Sequence, residues 1–515
     1  MEIHGGEGRA ANPPSGSVSE KERMMAAKKI SGEFPRGSNT LTPWTSTIIV
    51  LFAALVRVLI SLGPYSGEGT PPMYGDYEAQ RHWMEITLHT PALEWYRSTS
   101  DNNLSYWGLD YPPLTAYQSL AHAFLVNSSC PESLTLFSSL GFESYKSKIL
   151  MRWTVLSSDI LVFFPAAVWF VHVYNKRFGG SGGEWSAPWL LAMILLNPCL
   201  ILIDHGHFQY NCISLGLTLG AVAAILSGHD FIASALFSLA INHKQMSLYY
   251  APAFFSYLLG KCMKRKNWIL EVAKLGLVVI GTFILVWLPY LYSMEAAKEV
   301  LYRLAPFERG IYEDYVANFW CSTSPLIKWK KLFSISDSKL FCLCATIFAF
   351  LPSCYQQIKA PSDHSFIHAM LNSSFAFYLF SYQVHEKSIL LPLLPANMLA
   401  QQEPFLYRQL VYCGLLSLFP LLFRDGLILQ YIVLLALFVL LFFSKDERRR
   451  STRDKSCLMM RKMLLWFHML VFPILHVIYL TLRPPRRTSV LRFLDPKSQD
   501  DTASCSSNCD VGRGT

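Results

Sequence analysis

The chain has 515 residues, of which 52% are hydrophobic and only 16% are charged, and its mean hydropathy is 0.27. This balance excludes an ordinary soluble enzyme and indicates a polytopic membrane protein. The formal net charge of +9 does not indicate a nucleic-acid partner, because basic residues cluster in short loops beside apolar runs, as at 261–266 and 448–450. Such clusters are typical of loops that are retained in the cytosol.

The N-terminal region contains no apolar run. Residues 1–42 are rich in Gly, Ser, Lys, Glu and Pro, which predicts a disordered cytosolic tail. The first apolar run, 45–63, begins too late for a secretory signal peptide but is long enough to span a bilayer. Basic residues precede this run, which favours a cytosolic N-terminus and places the following loop, 64–149, in the lumen.

Apolar runs recur along the chain and predict an all-α integral membrane protein with about 11 to 14 spanning helices. We expect one membrane-embedded unit over 43–445, a basic loop and last span over 446–494, and a disordered tail over 495–515. Polar residues interrupt several runs, which predicts broken helices around a hydrated cavity. After 45–63 and an amphipathic helix at 114–126, the predicted spans are 150–174, 187–203, 208–227, 231–242, 246–260, 268–292, 338–358, 366–382, 388–400, 406–423, 427–443 and 463–482.

The topology depends on one weak span. Counting 388–400 as a full crossing keeps the basic loop 445–455 in the cytosol, as the charge rule requires. Arginines that follow the last span argue against a lumenal C-terminus, so either one crossing is missed in this count or the final number of crossings is even.

The stretch 74–113 is polar, aromatic and acidic in an otherwise apolar chain, which indicates a functional site. Gly75-Asp76 precedes apolar residues at helical spacing, so we predict that Asp76 is the N-cap of an amphipathic helix. This helix is expected to lie along the membrane surface, with Glu78 and Arg81 on its polar face. The structural alternative is that Asp76 only caps the helix.

Several segments resemble a known family, namely GDYEAQRHWMEIT from residue 75, YWGLDYPPLTAY from residue 106, DHGHFQYN from 204, HKQMSLYYAP from 243 and HEKSILLPLLP from 385. By these segments the chain resembles the endoplasmic-reticulum glucosyltransferases that use dolichyl phosphate glucose, which are multi-spanning GT-C enzymes. The first two segments are most similar to the members that add the first glucose to the lipid-linked oligosaccharide. The resemblance covers most of residues 45–440.

The resemblance implies a reaction and a catalytic base. Glucose would leave a β-linked dolichyl phosphate and form an α-1,3 linkage to the terminal mannose of Man9GlcNAc2 on dolichyl diphosphate. Because phosphate is a good leaving group, the transfer needs an acceptor base and cations but no general acid. The resemblance assigns Asp76 as that base, and it places His385 and Lys387 at the donor phosphate. The alternative for Lys387 is an interfacial anchor.

Other polar and aromatic residues are candidates for lining the substrate cavity. His207 and Gln209 are expected to bond sugar hydroxyls, and Lys244 either meets phosphate or anchors a helix end. Aromatic residues such as Trp83 either stack on sugars or form an interfacial belt. Asp110 is a reserve base or a turn residue. The full set is Glu78, Arg81, Trp83, Asp110, His207, Gln209 and Lys244.

No metal or other cofactor is expected, because side-chain cations can neutralise the single phosphate of the donor. Two metal alternatives remain, a divalent ion on Asp76 and Glu78 and zinc on His205 and His207. The 12 cysteines form no Cys-x-x-Cys pair, so neither a zinc ribbon nor a disulfide framework is indicated.

Asn-x-Ser sequons occur at Asn103, Asn127 and Asn372. Asn103 and Asn127 lie in the predicted lumenal loop and are candidate glycosylation sites, whereas Asn372 lies in an apolar run and is expected to stay unmodified. The expected partners are the two dolichyl substrates and membrane lipids. The rival functions are a second-glucose or mannosyl transferase of the same class, and a polyprenyl-lipid or solute transporter.

Overall fold

The computed structural model describes residues 41–178, 187–304 and 316–442, and these residues form helices without a β-strand. The longer helices are α1 Pro43–Ser61, α2 Asp76–His89, α3 Pro113–Asn127, α4 Tyr145–Phe178, α5 Ala187–Phe208, α6 Asn211–Leu226, α7 Asp230–His243, α8 Ala251–Met263, α9 Trp268–Trp287, α10 Met294–Leu304, α11 Ile335–Lys359, α12 Asp363–Phe380, α13 Leu390–Met398, α14 Pro404–Arg424 and α15 Ile428–Phe442. Short helical turns lie at Ala92–Glu94, Pro131–Leu134, Gln245–Tyr250, Phe319–Thr323, Trp329–Leu332 and Glu386–Ile389. The predicted last span at 463–482 and both predicted tails lie outside the described residues.

Six helices in the described ranges are long and apolar enough to cross a bilayer, namely α1, α4, α5, α9, α11 and α14. Helix α9 has a mean hydropathy of 2.3 in its most apolar window, yet only 6% of that window is buried by protein. Its side chains therefore face lipid, where an apolar surface costs nothing. The predicted all-α, multi-spanning fold is confirmed, and the total of about 11 to 14 spans stays a prediction.

Two of the spans are irregular where the polar residues interrupt them. Helix α4 contains a π-helical turn at Asp159–Phe163. Helix α5 breaks at Asn197, whose side chain accepts hydrogen bonds from the next turn, and ends in a π-helical turn at Leu202–Phe208. The predicted boundary near residue 203 is therefore wrong. Because of this wide last turn, the helix continues to Phe208, and His207 lies at the end of the helix bundle.

The predicted crossing at 388–400 is wrong as a single helix. Helix α13 has nine residues, which rise about 13 Å, less than half of the hydrocarbon core. Every residue of α13 is buried inside the bundle. Protein surrounds the run on all sides, which explains its apolar composition. That composition was wrongly interpreted as the sign of a membrane-spanning helix.

The loop between α1 and α4 packs as a compact layer on the end of the bundle. Every residue of helix α2 from Tyr77 to Thr87 is buried in protein, so the expected exposed polar face is wrong, and its predicted place along the membrane surface stays a prediction. Its polar face is buried together with its apolar face, since Arg81 pairs with two carboxylates of the same helix. The first residue of α2, Asp76, is thereby held against the ends of the spans.

Candidate active site

Backbone contacts hold the start of α2 against the end of α5. The Ser66 N–H donates to the His207 carbonyl at 3.0 Å, and the Ser66 Oγ accepts from the Asp76 N–H at 3.3 Å. Gly75 crosses Ser66 so closely that a Cβ on Gly75 would lie 2.5 Å from the Ser66 backbone. Glycine is therefore required before Asp76, which gives a steric reason for the Gly-Asp pair.

Asp76 is not the N-cap of α2, which corrects the prediction. Gly75 occupies the cap position with an extended backbone, and Asp76 is the first helical residue. Its carboxylate points away from the helix start. Because the side chain does not bond the amides of α2, the reading of Asp76 as only a helix cap is wrong.

The Asp76 carboxylate meets side chains from two distant segments of the chain. Its Oδ2 accepts a hydrogen bond from Lys387 Nζ at 2.5 Å and one from Gln209 Nε2, and it lies 3.1 Å from His207 Nε2. No hydrogen bond within the described residues reaches Oδ1. The Asp76 side chain is 21% exposed and Lys387 is 16% exposed, so this oxygen remains available to a substrate.

Sequence reasoning missed Asp425, which completes this group. Its Oδ2 accepts a hydrogen bond from His207 Nδ1, and both side chains are almost fully buried. His207 Nε2 then faces Asp76 on one side and Lys387 Nζ, 3.3 Å away, on the other. The available signal was an acidic residue in Arg424-Asp425-Gly426, directly after an apolar span, where a charge is usually functional.

Opposite charges in this group tune the catalytic candidates. Burial opposes ionisation of Asp76, but the Lys387 ammonium and the His207 imidazole outweigh it and hold the pKa of the Asp76 carboxyl well below its usual value. Burial likewise disfavours charge on Lys387, but Asp76 raises the pKa of Lys387 above its usual value. The pair is therefore a carboxylate and an ammonium at neutral pH.

Gln209 connects Asp76 to a second cation. The Lys244 Nζ donates to Asn211 Oδ1 at 2.7 Å and to Gln209 Oε1 at 3.4 Å, and Asn211 in turn donates to Asp204 at 2.7 Å. Burial, and then repulsion from Lys387, lowers the pKa of Lys244. A cavity of about 20 Å³ separates Lys244 from Lys387, which is room for about one water molecule and not for a sugar.

The remaining residue of the predicted phosphate pair lies at the edge of this group. The His385 side chain is 35% exposed, and its Nδ1 is 3.7 Å from the Glu386 carboxylate. None of the described contacts joins His385 to Asp76. The structure thus brings Lys387 to the carboxylate and leaves the His385 ring half-buried at the edge of the group.

Glu78 and Arg81 lie in a different cluster. The Arg81 guanidinium donates to Glu78 through two nitrogens at 2.7 Å and to Glu85 at 2.8 Å. Glu78 also accepts from the Tyr106 hydroxyl and the Gly141 amide. These side chains are 0–3% exposed, so their contacts support a structural role, and their predicted place in the substrate cavity stays untested.

Trp83 and Asp110 lie in other parts of the loop between α1 and α4. Trp83 is 4% exposed, and its Nε1 donates to the Trp107 carbonyl at 2.7 Å, so it belongs to the aromatic core of the loop. Asp110 is half-buried, and its backbone carbonyl accepts from Gln245 at 3.1 Å. The ring of the next residue, Tyr111, lies 4.9 Å below Lys244 Nζ. The segment therefore supports Lys244.

The two metal alternatives do not match the geometry. Asp76 faces Lys387, whereas Glu78 binds Arg81, so the two acids do not converge. His205 Nε2 lies 2.6 Å from the Asp159 carboxylate and His207 binds Asp425. Across the described residues, no group of three or more His, Cys, Asp or Glu is arranged to hold a metal ion.

The sequons differ in their surroundings. Asn103 is exposed, and its Oδ1 accepts from the backbone and hydroxyl of Ser105. Asn127 is half-buried as the last residue of α3. Asn372 lies on α12, and its side chain donates to Ser353 of α11 at 2.8 Å. Glycosylation of Asn103 and Asn127 stays a prediction.

The comparison with known families decides the class of the chain. The family described as "ALG6, ALG8 glycosyltransferase family" matches residues 53–495. The chain belongs to this family. The matched range contains every residue of the Asp76 group, and the protein is accordingly a multi-spanning membrane glycosyltransferase.

Relatives of this ALG6, ALG8 family chain carry a more specific name. A protein of Arabidopsis thaliana, "Probable dolichyl pyrophosphate Man9GlcNAc2 alpha-1,3-glucosyltransferase", is 56% identical over 85% of this chain and 83% of its own length. A Gallus gallus protein with the same name, without "probable", is 44% identical over 75% of this chain and 76% of its own. A Schizosaccharomyces pombe protein with the Arabidopsis name is 41% identical over 75% and 76%.

Proposed function

We propose that this chain transfers glucose from dolichyl phosphate glucose to the terminal mannose of Man9GlcNAc2 on dolichyl diphosphate and forms an α-1,3 linkage. The names of the relatives support this acceptor and linkage. The proposed site faces the lumen of the endoplasmic reticulum, because the charge distribution around α1 favours a cytosolic N-terminus.

The observation that supports this proposal most strongly is the meeting of Asp76 and Lys387. They are 311 residues apart in the chain, yet the ammonium lies 2.5 Å from the carboxylate. Glucosyl transfer from a lipid phosphate needs a base for the acceptor hydroxyl and a cation for the departing phosphate. Asp76 and Lys387, which are both partly exposed, supply this base and this cation at one place in the structure.

The proposed reaction is a single displacement. The 3-hydroxyl oxygen of the acceptor mannose attacks C1 of glucose from the face opposite the phosphate, and the bond from C1 to the phosphate oxygen breaks with its electrons. The configuration at C1 inverts from β to α. Asp76 takes the hydroxyl proton, and the leaving dolichyl phosphate gains one negative charge, which Lys387 meets.

Lys387 has to serve two anions in this mechanism. In the structure Lys387 binds Asp76, and its hydrogen bond makes the carboxylate a poor base. We propose that the donor phosphate draws Lys387 away from Oδ2, which raises the proton affinity of Asp76 once donor is bound. His207 keeps the carboxylate in place, because Asp425 fixes its ring from the other side.

The direct test uses the purified full-length protein in detergent with dolichyl phosphate glucose and a lipid-linked Man9GlcNAc2. We expect a single glucose in α-1,3 linkage, formed equally well in EDTA because the site offers cations in place of metal. Transfer only to an acceptor that already carries one glucose would indicate the second-glucose step. Loss of activity in EDTA with recovery on adding manganese would overturn the metal-free mechanism.

A transporter and a transferase are separated by the same experiment. Detergent removes the two compartments that a transporter requires, whereas a transferase remains active. Product formation without vesicles is therefore the expected result.

A further inference from the structure

A second cavity lies between the ends of α1 and α4, on the same side of the membrane as Asp76. Its volume is about 110 Å³, and its apolar wall includes Val58, Leu62 and Ile149. Leu62 is 66% exposed and Trp153, also in the wall, is 54% exposed. Because both side chains lie on or beside spanning helices, the cavity borders on lipid.

The cavity is also lined by the guanidinium-bearing side chain of Arg152. Arg152 is 5% exposed, and its Nη2 donates to the carbonyls of Pro64 and Gly206, each at 2.9 Å. Its Nε and Nη1 are buried and have no hydrogen-bond partner in the described part of the chain. No carboxylate of that part lies within ion-pair distance of Arg152.

The other buried arginines show how unusual this is. Arg57 pairs with Asp159 at 2.8 Å, and Arg81 pairs with two glutamates. A guanidinium taken out of water is costly unless an anion and hydrogen-bond acceptors replace the water. Among the described residues, the hydrogen-bond partners of Arg152 are two neutral carbonyls, so acceptors are present but an anion is not.

An aromatic contact does not replace the missing anion. The Arg152 guanidinium carbon lies 5.5 Å from the centre of the Phe208 ring. A ring stabilises the face of a guanidinium, whereas the N–H donors lie in the plane of the group. The Nε and Nη1 donors of Arg152 therefore still lack a hydrogen-bond acceptor within the described residues.

We propose that this cavity binds the phosphate head group of a membrane lipid in the leaflet that faces Asp76. Phosphate oxygens match the planar donors of a guanidinium, and the lipid chain would follow the apolar wall formed by Val58, Leu62 and Ile149. Lys148, 19% exposed on the rim, adds a second cation and is held at present by the more exposed Glu68 at 3.0 Å. A lipid fits better than a soluble anion, because the apolar wall borders on the bilayer.

The site is distinct from the Asp76 group but joined to it. Arg152 binds the carbonyl of Gly206, and the next residue, His207, faces Asp76. A lipid phosphate on Arg152 would thus stabilise the segment that positions His207. This role does not depend on which sugar the enzyme transfers.

The test measures lipid binding to the purified full-length protein by native mass spectrometry and by its unfolding temperature. The probes are dioleoyl phosphatidic acid, dioleoylglycerol, which has the same chains without phosphate, and inorganic phosphate. We expect only phosphatidic acid to remain bound and to raise the unfolding temperature. Arg152→Gln should weaken this binding at least tenfold, and Lys148→Gln should weaken it about threefold, because Lys148 is on the rim.

Lys146→Gln is the matched control, because Lys146 is an exposed lysine two residues from Lys148 and does not line the cavity. Equal binding of dioleoylglycerol, or undiminished binding by Arg152→Gln, would overturn the proposal. Equal stabilisation by inorganic phosphate would show a soluble-anion site and overturn its lipid part. If Arg152→Gln does not fold, Lys148→Gln decides, and binding equal to that of Lys146→Gln counts against the site.

Discussion

His207 and Asp425 form a buried hydrogen bond, from Nδ1 of the ring to Oδ2 of the carboxylate, which leaves Nε2 of His207 facing Asp76. The contact joins the last turn of α5 to the end of α14, which are 218 residues apart. It fixes the ring from the side away from Asp76. Asp425 is therefore a positioning residue, and it acts on the reaction only through His207.

Asp425→Asn should lower kcat about tenfold or more, equivalent to about 1.4 kcal/mol or more in the barrier, with little change in the KM for the donor. The amide can no longer hold the ring as an anion does. Asp425→Glu should recover part of the loss. Lys146→Gln is the control, because Lys146 is an exposed lysine of the loop between α1 and α4. A rise in KM at constant kcat would show that Asp425 affects binding and does not position the base.

Lys387→Ala should weaken use of the donor strongly, because it removes the cation closest to the base. Loss of one such stabilising donor typically costs about 3 kcal/mol in the transition state. His385→Ala should act in the same direction, since its half-buried ring lies two residues before that cation in the chain. The measurement is the rate at limiting dolichyl phosphate glucose. Wild-type rates for either variant would remove that residue from the phosphate site.

The acid limb of kcat/KM should depend on Lys387. Lys387 and His207 hold the pKa of the free-enzyme Asp76 carboxyl well below its usual value, so Asp76 stays ionised throughout the range from about pH 5 to 8. Ionised Asp76 stabilises the fold at pH values above the pKa that it has in the unfolded chain. This contribution to stability is lost as the pH falls through the lower pKa of Asp76 in the folded protein. In Lys387→Ala the burial remains and the ammonium is gone, so the pKa of Asp76 should rise.

The pH profile of Lys387→Ala should accordingly show its acid limb at higher pH than the wild-type profile. Lys146→Ala, which removes an exposed lysine elsewhere in the loop, should leave the limb in place. An unmoved limb in Lys387→Ala would mean that another group controls the acid side.

Arg81→Gln should destabilise the protein without altering the chemistry of the molecules that remain folded. Breaking a buried ion pair from one side typically costs about 3–5 kcal/mol, because uncompensated charges remain, here on Glu78 and Glu85. Arg97→Gln is the matched control, since its ion pair with Glu299 is exposed and contributes little. The readout is the unfolding temperature together with kcat per folded molecule. A stable Arg81→Gln protein with low kcat would return Arg81 to the substrate site.

Part of this site was accessible from the sequence. Local signals identified Gly75-Asp76, the polar segment that contains His207 and Gln209, and the basic residues before α13. Their meeting was not accessible from these local signals, because it depends on how α2, α5 and α13 pack. The resemblance to a family placed Asp76 and Lys387 in the same reaction. The structure gives the contacts of Asp76 with Lys387 and His207.

The errors have physical causes as well. Periodicity showed that α2 is helical, but Glu78 and Arg81 were taken for a water-facing surface when they neutralise one another in the interior. Apolar character showed that 388–400 is buried, but a run buried by protein and one buried by lipid have the same composition. Asp425 was missed because a single acid after a span has no periodic signal.

The most direct measurement is the turnover of Asp76→Asn, with donor binding measured on the same preparation. Asn keeps the shape of the side chain but cannot take the proton, so we expect turnover to fall about 100-fold to 10,000-fold. Donor should bind at least as tightly as to the wild type, because Lys387 is released from the carboxylate. Ser66→Ala, which removes the hydrogen bond to the Asp76 amide and leaves the carboxylate, should retain most activity. Near-normal transfer by a folded Asp76→Asn enzyme would contradict the assignment of Asp76 as the base.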